Sequence, residues 1–181
     1  MSTLFYTATT LDGFLADEHD SLQWLFKQEQ DDDGALSYDA FIADVGAICM
    51  GATTYEWVLD HESGSWPYTL PSWVFTHRDL PVRGDADIRL VQGDVAPVHA
   101  EMAAAAGGKD VWVVGGGGLA ADFAQAGLLD RMLLMIAPVT LGAGRPLFTR
   151  PFDLRLVEVA RNGAFLAATY DVVGPLAESG A

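Results

Sequence analysis

Four consecutive glycines, Gly115 to Gly118, carry the clearest chemical signal in this sequence. The run Val111 to Val114 before them is apolar and rich in β-branched residues, which predicts a buried strand. Apolar residues at roughly helical spacing follow from Leu119 and predict a helix. The amino end of a helix presents unpaired N–H groups and about half a positive charge, and glycine lets an anion come close to the backbone. The pattern therefore indicates either a pyrophosphate-binding turn or a tight strand-to-helix turn that binds nothing.

Two well-known glycine motifs do not fit this stretch. Gly115, Gly117 and Ala120 match G-x-G-x-x-G/A, but the dinucleotide fold built on that motif needs further strand–helix units and an acidic residue about 20 positions on. Only a short group of predicted strands follows. The phosphate loop of nucleotide triphosphatases needs Gly-Lys-Ser/Thr, and this run continues as Leu-Ala-Ala. Both classes are excluded.

The elements around the glycines predict an α/β protein. Predicted strands alternate with helices up to about residue 139, and the chain then ends in antiparallel strands joined at Asn162-Gly163, a strong hairpin signal. The first strand, Thr3 to Thr9, leads into a turn at Asp12-Gly13 that we interpret as part of a functional loop. With 181 residues, 50% of them hydrophobic, the chain is predicted to be a single domain over residues 1–181.

Charge and composition exclude several classes of partner. The formal net charge is −15, which opposes nonspecific binding to nucleic acid or to an anionic membrane surface. No apolar run approaches the roughly 20 residues of a membrane span, and the amino terminus lacks the features of a signal peptide. The single cysteine, Cys49, excludes an internal disulfide. These features predict a cytoplasmic location.

Five separated segments resemble one known family. They are Thr10–Ala16, Met50–Glu56, Val74–Arg78, Val113–Gly117 and Ala137–Phe148. In this order they are similar to the dihydrofolate reductase superfamily, and most similar to the branch that holds the reductase domain of the bifunctional riboflavin-biosynthesis deaminase–reductase and its small stand-alone relatives. The resemblance implies a three-layer fold: a mixed, mostly parallel sheet of about eight strands, helices on both faces and a C-terminal antiparallel hairpin. It also implies a homodimer.

The resemblance implies NADPH as the hydride donor. Gly115, Gly116, Gly117, Gly118 and Leu119 would then hold the pyrophosphate, and Gly51, Thr53 and Thr54 would line the other side of the cofactor. A second group, Thr76, His77 and Arg78, matches the segment that approaches the adenosine 2′-phosphate in the family. A guanidinium and hydroxyl donors suit such a dianion.

One departure from the family pattern concerns the cofactor. A basic residue commonly follows the glycine that corresponds to Gly51, and Ala52 stands there in this chain. The loss of one phosphate partner makes NADH an alternative cofactor.

The resemblance also nominates residues around the reacting ring. Ala8 and Phe14 would flank the substrate, and Asp12 is the candidate catalytic residue that orients it or relays a proton. An aspartate before glycine also commonly bonds its own backbone, so a turn-forming role stays open for Asp12. Asp39 is a candidate for the acidic residue that grips the pteridine in folate reductases. Phe14 replaces the lysine usual in the riboflavin branch, which favours a flatter, less charged substrate.

These expectations combine into a predicted function. The chain resembles an NADPH-dependent reductase of the 5-amino-6-(5-phosphoribosylamino)uracil reductase type, acting on a pterin-like or pyrimidine-like heterocycle. A flavin or quinone reductase in the same cleft, or a nucleotide-binding module without turnover, are the alternatives. No metal is expected, because the four histidines, His19, His61, His77 and His99, lack metal-ligand spacing.

Overall fold

A computed structural model describes residues 1–62 and 65–176 of the protein. Within these residues the chain forms ten strands and five helices. The strands are β1 (Thr3–Thr10), β2 (Phe14–Ala16), β3 (Val45–Gly51), β4 (Ser72–Phe75), β5 (Ile88–Val91), β6 (Asp110–Gly115), β7 (Arg131–Ala137), β8 (Arg145–Pro146), β9 (Phe152–Asn162) and β10 (Phe165–Pro175). The helices are α1 (Gln23–Phe26), α2 (Tyr38–Ala43), α3 (Ala52–His61), α4 (Val95–Ala105) and α5 (Gly117–Gln125).

Eight of these strands form one sheet in the order β5-β4-β3-β6-β1-β7-β10-β9. The strands from β5 to β7 run parallel, whereas β10 and β9 are antiparallel to their neighbours. This arrangement confirms the predicted mixed, mostly parallel sheet with an antiparallel end. The predicted hairpin at Asn162-Gly163 joins β9 to β10 as expected.

Side chains that alternate along the central strands bury both faces of the sheet. On β3, Ala47 and Cys49 pack in the cluster that contains Met102 of α4 and Phe123 of α5. Ile48, one position along the strand, packs on the opposite face together with residues of α3. Successive residues of a strand point to opposite faces, so this alternation places helices on both sides of the sheet. The result is the predicted three-layer α/β fold.

Parallel strands place their carboxyl ends along one edge of the sheet, and that edge positions the candidate site. Helix α3 begins at Ala52, immediately after β3 ends at Gly51. Helix α5 begins at Gly117, two residues after β6 ends at Gly115. The amino ends of both helices therefore lie at the same edge, beside the end of β1.

A second, two-stranded sheet was not predicted from the sequence. The residues after the Asp12-Gly13 turn form β2, which pairs with β8 in antiparallel fashion, with Phe14 opposite Pro146. This pairing brings the loop after β7 across the carboxyl edge of the main sheet.

No helix among the described residues is both long enough and apolar enough to cross a membrane.

Candidate functional site

A cleft of about 460 Å³ opens at the carboxyl edge of the sheet. Its walls come from the end of β1, the first turns of α3 and α5, strand β2 and the segment around β8. Among the residues proposed from the sequence, the structure brings nine together on these walls. They are Ala8, Gly51, Thr53, Thr54, Gly115, Gly116, Gly117, Gly118 and Leu119.

The glycines of this run differ in what surrounds them. A Cβ atom on Gly116 or Gly118 would meet no heavy atom of the protein within 4 Å. A Cβ atom on Gly117 would collide with the carbonyl oxygens of Pro146 and Leu147, which pass directly over it. Gly117 therefore permits the packing of the β8 segment on α5. Gly116 and Gly118 leave open space at the start of the helix.

The amino ends of α3 and α5 both contribute to this cleft. Their N-cap residues are Gly51 and Gly116, and neither cap makes a side-chain hydrogen bond to the helix amides. Neither helix has an acidic residue in its first turn. First-turn amides have no partner within the helix, and the helix dipole adds partial positive charge there. Two helix ends on one cleft, with the hydroxyls of Thr53 and Thr54 beside them, form a site suited to an anion.

Thr76, His77 and Arg78 follow β4 at the same edge but do not line the cleft. The guanidinium of Arg78 donates to both carboxylate oxygens of Glu56 on α3, at 2.9 and 2.7 Å. Thr76 accepts a hydrogen bond from the Arg78 amide at 2.9 Å, which closes the turn. His77 lies 3.3 Å from the side-chain oxygen of Gln92. The loop is therefore tied to α3, the helix whose first turn lines the cleft.

Asp12 lies outside the cleft lining, and three donors from the protein satisfy its carboxylate. The Thr10 hydroxyl donates to it at 2.6 Å, and the backbone amides of Leu141 and Gly142 donate at 3.0 and 2.7 Å. These hydrogen bonds, that of Thr10 first, lower the pKa of the Asp12 carboxyl. Asp12 thus joins the loop after β1 to the loop after β7. The catalytic role suggested by the sequence stays a prediction.

The other two proposed substrate residues also lie away from the cleft walls. Phe14 begins β2 and its amide donates to Thr10 at 3.0 Å, while Leu15 and Ala16, next along the strand, line the cleft. Asp39 lies exposed in the first turn of α2. The geometry brings neither side chain next to the glycine run.

Five apolar residues of the cleft lining were not predicted from the sequence, and we call the part of the cleft that they line its apolar end. They are Leu22, Leu25, Trp57, Val58 and Tyr68. The only sequence signal for the first pair is two leucines within an otherwise acidic segment, and Tyr68 lies in a loop without periodicity. Burial raises the pKa of the Tyr68 hydroxyl above its usual range, so it stays protonated.

The charged residues of the cleft lining are Asp20 and Arg145, and they pair with each other. The Arg145 guanidinium donates to the two carboxylate oxygens of Asp20 at 2.6 and 2.9 Å. The residues are separated by 125 positions in the sequence, which is why no local pattern indicated the contact.

Over residues 1–62 and 65–176, no group of three or more His, Cys, Asp or Glu side chains could hold a metal ion.

Comparison with known proteins gives a consistent family. The model of the family described as the RibD C-terminal domain matches residues 3–164. The uncharacterized protein YwjB of Bacillus subtilis (strain 168) is 30% identical over 158 residues, which span 85% of this chain and 88% of that protein. The residues that the family model matches include the whole cleft lining and the strands from β1 to β9.

Two solved structures show the same architecture. A Shewanella sp. PV-4 protein, provisionally assigned to riboflavin biosynthesis, has a TM-score of 0.82 at 26% identity, covering 96% of this chain and 99% of that one. Dihydrofolate reductase from Enterococcus faecalis, solved with NADP(H), has a TM-score of 0.58 at 12% identity over 94% of this chain and 96% of that one. The second likeness concerns the fold alone and confirms the predicted dihydrofolate-reductase-like architecture.

Proposed function

Because the chain belongs to the family of RibD C-terminal domains, whose model covers residues 3–164, we propose that it is an NADPH-dependent reductase of a flat heterocycle. The family and the fold are those of reductases, which supports the assignment to the oxidoreductases. The proposed acceptor is a pterin-like or pyrimidine-like ring. The Enterococcus faecalis neighbour with the same fold was solved with NADP(H), which supports the choice of cofactor.

The observation that carries this proposal is the convergence of two helix amino ends on the open glycines. A dinucleotide pyrophosphate is an anion that must approach the backbone closely, and the empty space beside Gly116 and Gly118 permits that approach. The amides at the start of α5 would hold the pyrophosphate. Thr53 and Thr54 would supply hydroxyl donors from α3. The bound cofactor supplies the hydride.

We place the adenosine 2′-phosphate near Thr76, His77 and Arg78. Arg78 is the cation of this loop, but Glu56 already holds it in two hydrogen bonds. Ala52, in the first turn of α3, offers no charge. The proposed preference for NADPH therefore depends on Arg78, which the 2′-phosphate would share with Glu56. We expect NADH to bind as well.

The acceptor is proposed to lie at the apolar end of the cleft. Ala8, near the end of β1, lines the cleft, and Trp57 and Leu25 provide apolar walls. Such walls exclude water from the reacting ring and strengthen its polar contacts with the protein. The small side chain of Ala8 lets a flat ring lie against the strand.

Titration of tryptophan fluorescence with NADPH tests the proposal directly, because Trp57 lines the cleft. We expect saturable quenching by NADPH and weaker quenching by NADH. NADPH oxidation is then measured with dihydrofolate, a flavin, a quinone and a uracil derivative. Turnover of a flavin or quinone alone would assign the alternative reductase class, and binding without turnover of any acceptor would indicate a nucleotide-binding module. Absence of quenching by both nucleotides would remove the cofactor assignment.

We also propose that the protein forms a homodimer through β9 and β10. Val159, Leu156 and Leu154 pair with Ala168, Tyr170 and Val172, which alternate along β10 and so share one face. The side chains of Leu154, Leu156 and Val159 are 41%, 55% and 52% exposed. Leu166 of β10 is also exposed, on the same face. A contiguous apolar stripe on an edge strand is a typical oligomer contact.

A further inference from the structure

Tyr68 differs from Tyr6 and Tyr55, two other tyrosines that pack among the aromatic side chains of this fold. The Tyr6 hydroxyl donates to the Leu36 carbonyl at 2.8 Å, and the Tyr55 hydroxyl donates to the Pro81 carbonyl at 2.7 Å. The Tyr68 hydroxyl makes no hydrogen bond with any residue that the structure describes. The hydroxyl is not among the fully buried polar atoms that lack a partner, and Tyr68 lines the cleft, so its O–H is available to donate to a ligand.

Aromatic neighbours fix the orientation of the Tyr68 ring. Its centroid lies 5.4 Å from that of Trp66 and 5.7 Å from that of Trp112, both in edge-to-face geometry. Trp112 is itself held by a hydrogen bond from its indole N–H to the Tyr6 carbonyl at 3.0 Å. The Tyr68 ring is therefore held in the cleft lining by a packed support.

The charge of the cleft limits what its apolar end can bind. Asp20 and Arg145 are the charged members of the lining in the described chain, and their two-point pairing leaves no free cation and no free carboxylate. A phosphate on the acceptor would therefore have to displace Asp20 from Arg145 to gain a cationic partner at this end. A protonated ring would equally have to displace Arg145 from Asp20 to gain an anionic one.

We propose that the apolar end of the cleft binds an uncharged, unphosphorylated heterocycle, and that the Tyr68 hydroxyl donates a hydrogen bond to a carbonyl oxygen of that ring. This inference rests on the proposed function, since it describes the acceptor half of the same cleft. A hydroxyl that donates to a carbonyl oxygen selects a different ring from a carboxylate, which would bind amino groups and protonated ring nitrogens. The burial that keeps the hydroxyl protonated is consistent with a donor role over the whole physiological pH range.

Binding of two matched pteridines tests the hydroxyl. Pteridine-2,4-dione carries carbonyl oxygens where 2,4-diaminopteridine carries amino groups, and both are titrated with and without NADP⁺. We expect Tyr68→Phe to weaken binding of the dione about fivefold, as for one lost neutral hydrogen bond, and to leave the diamine within twofold. The control is Tyr38→Phe, since Tyr38 packs on the same Trp112 but lies outside the lining. An unchanged dione affinity in Tyr68→Phe, no dione binding to the wild type, or tighter binding of the diamine would overturn the proposal.

A second pair of ligands tests the absence of a phosphate site. Riboflavin and FMN share one ring system and differ by a phosphate, so we expect their dissociation constants to agree within threefold. FMN bound tenfold more tightly would contradict an unphosphorylated acceptor.

NADPH titrations of Tyr68→Phe separate this inference from the reductase assignment. Loss of dione binding with intact NADPH binding supports the role of Tyr68, whereas a wild-type chain that binds the dione but no nucleotide would refute only the proposed function.

Discussion

Arg78 and Glu56 form a two-point ion pair at the edge of the proposed cofactor site, with donor–acceptor distances of 2.9 and 2.7 Å. Both side chains are substantially exposed, so solvent screens the pair and its net contribution to stability is below about 1 kcal/mol. A dianionic phosphate can compete with one carboxylate for the same guanidinium. If the 2′-phosphate lies near Arg78 as proposed, the pair would set how strongly the chain distinguishes NADPH from NADH.

Releasing Arg78 should increase that discrimination. In Glu56→Gln we expect NADPH to bind about threefold to fivefold more tightly, because the weak surface pair no longer competes. Arg78→Ala should weaken NADPH about tenfold at low salt and leave NADH within twofold. Fluorescence titrations with both nucleotides measure the ratios. The matched control is Asp87→Asn, which removes an acid paired with Arg89 at the amino end of β5. Equal losses for NADPH and NADH in Arg78→Ala would exclude the 2′-phosphate role.

Adjacent glycines should respond in opposite ways to alanine. A Cβ on Gly117 meets the carbonyl oxygens of Pro146 and Leu147, so Gly117→Ala should destabilise the fold by about 1–3 kcal/mol and lower the melting temperature by several degrees. A Cβ on Gly118 meets only open space. Gly118→Ala should therefore keep its melting temperature and lose NADPH affinity tenfold or more. Unchanged NADPH binding in Gly118→Ala would argue against a pyrophosphate at this turn.

The individual strands of the sheet could be predicted because each long strand has its own local signal, whereas their assembly into one mixed sheet was implied by the family resemblance. Val111 to Val114 form a buried β-branched run, and Asn162-Gly163 marks the hairpin. Contacts made through short or irregular segments left no such signal. Strand β8 has two residues, and its pairing with β2 joins segments separated by more than a hundred positions. No periodicity can reveal a strand of that length.

The candidate site divides in the same way. Its glycine half was predictable because the turn needs special residues in consecutive positions. Its apolar half, including Tyr68, depends on which loop side chains the tertiary fold turns inward. Asp12 shows both effects: the local rule for an aspartate before glycine predicts a turn role, but the Leu141 and Gly142 amides that also bind it lie far away in sequence.

Asp12 should make the stability of the protein depend on pH in the acid range. Hydrogen bonds lower the pKa of the Asp12 carboxyl in the folded state. The stabilisation that this carboxylate provides is therefore complete above the pKa of the unfolded state, near 4, and is lost as the pH falls through the lower pKa of the folded state. Asp12→Asn should therefore melt at a lower temperature than the wild type at pH 7. The difference should narrow from about pH 4 downward. Thermal melts at pH 7, 5 and 3 measure it, with Asp32→Asn as the control for net charge. A gap that stays constant with pH would contradict the loop-joining role, and turnover by Asp12→Asn tests the predicted catalytic role separately.

The exposed stripe on β9 and β10 should hold two copies together. Burying a leucine or valine side chain contributes about 1.5–3 kcal/mol, so several on each copy can stabilise a two-fold contact. Light scattering after size exclusion should give the wild type twice the 19.4 kDa mass of one chain. Leu156→Asp, at the centre of the stripe, should give a monomer, because a carboxylate buried in that contact has no partner. Val82→Asp is the matched control, since Val82 is 47% exposed and lies outside the stripe. A monomeric wild type, or a dimer unaffected by Leu156→Asp, would exclude this surface as the dimer contact.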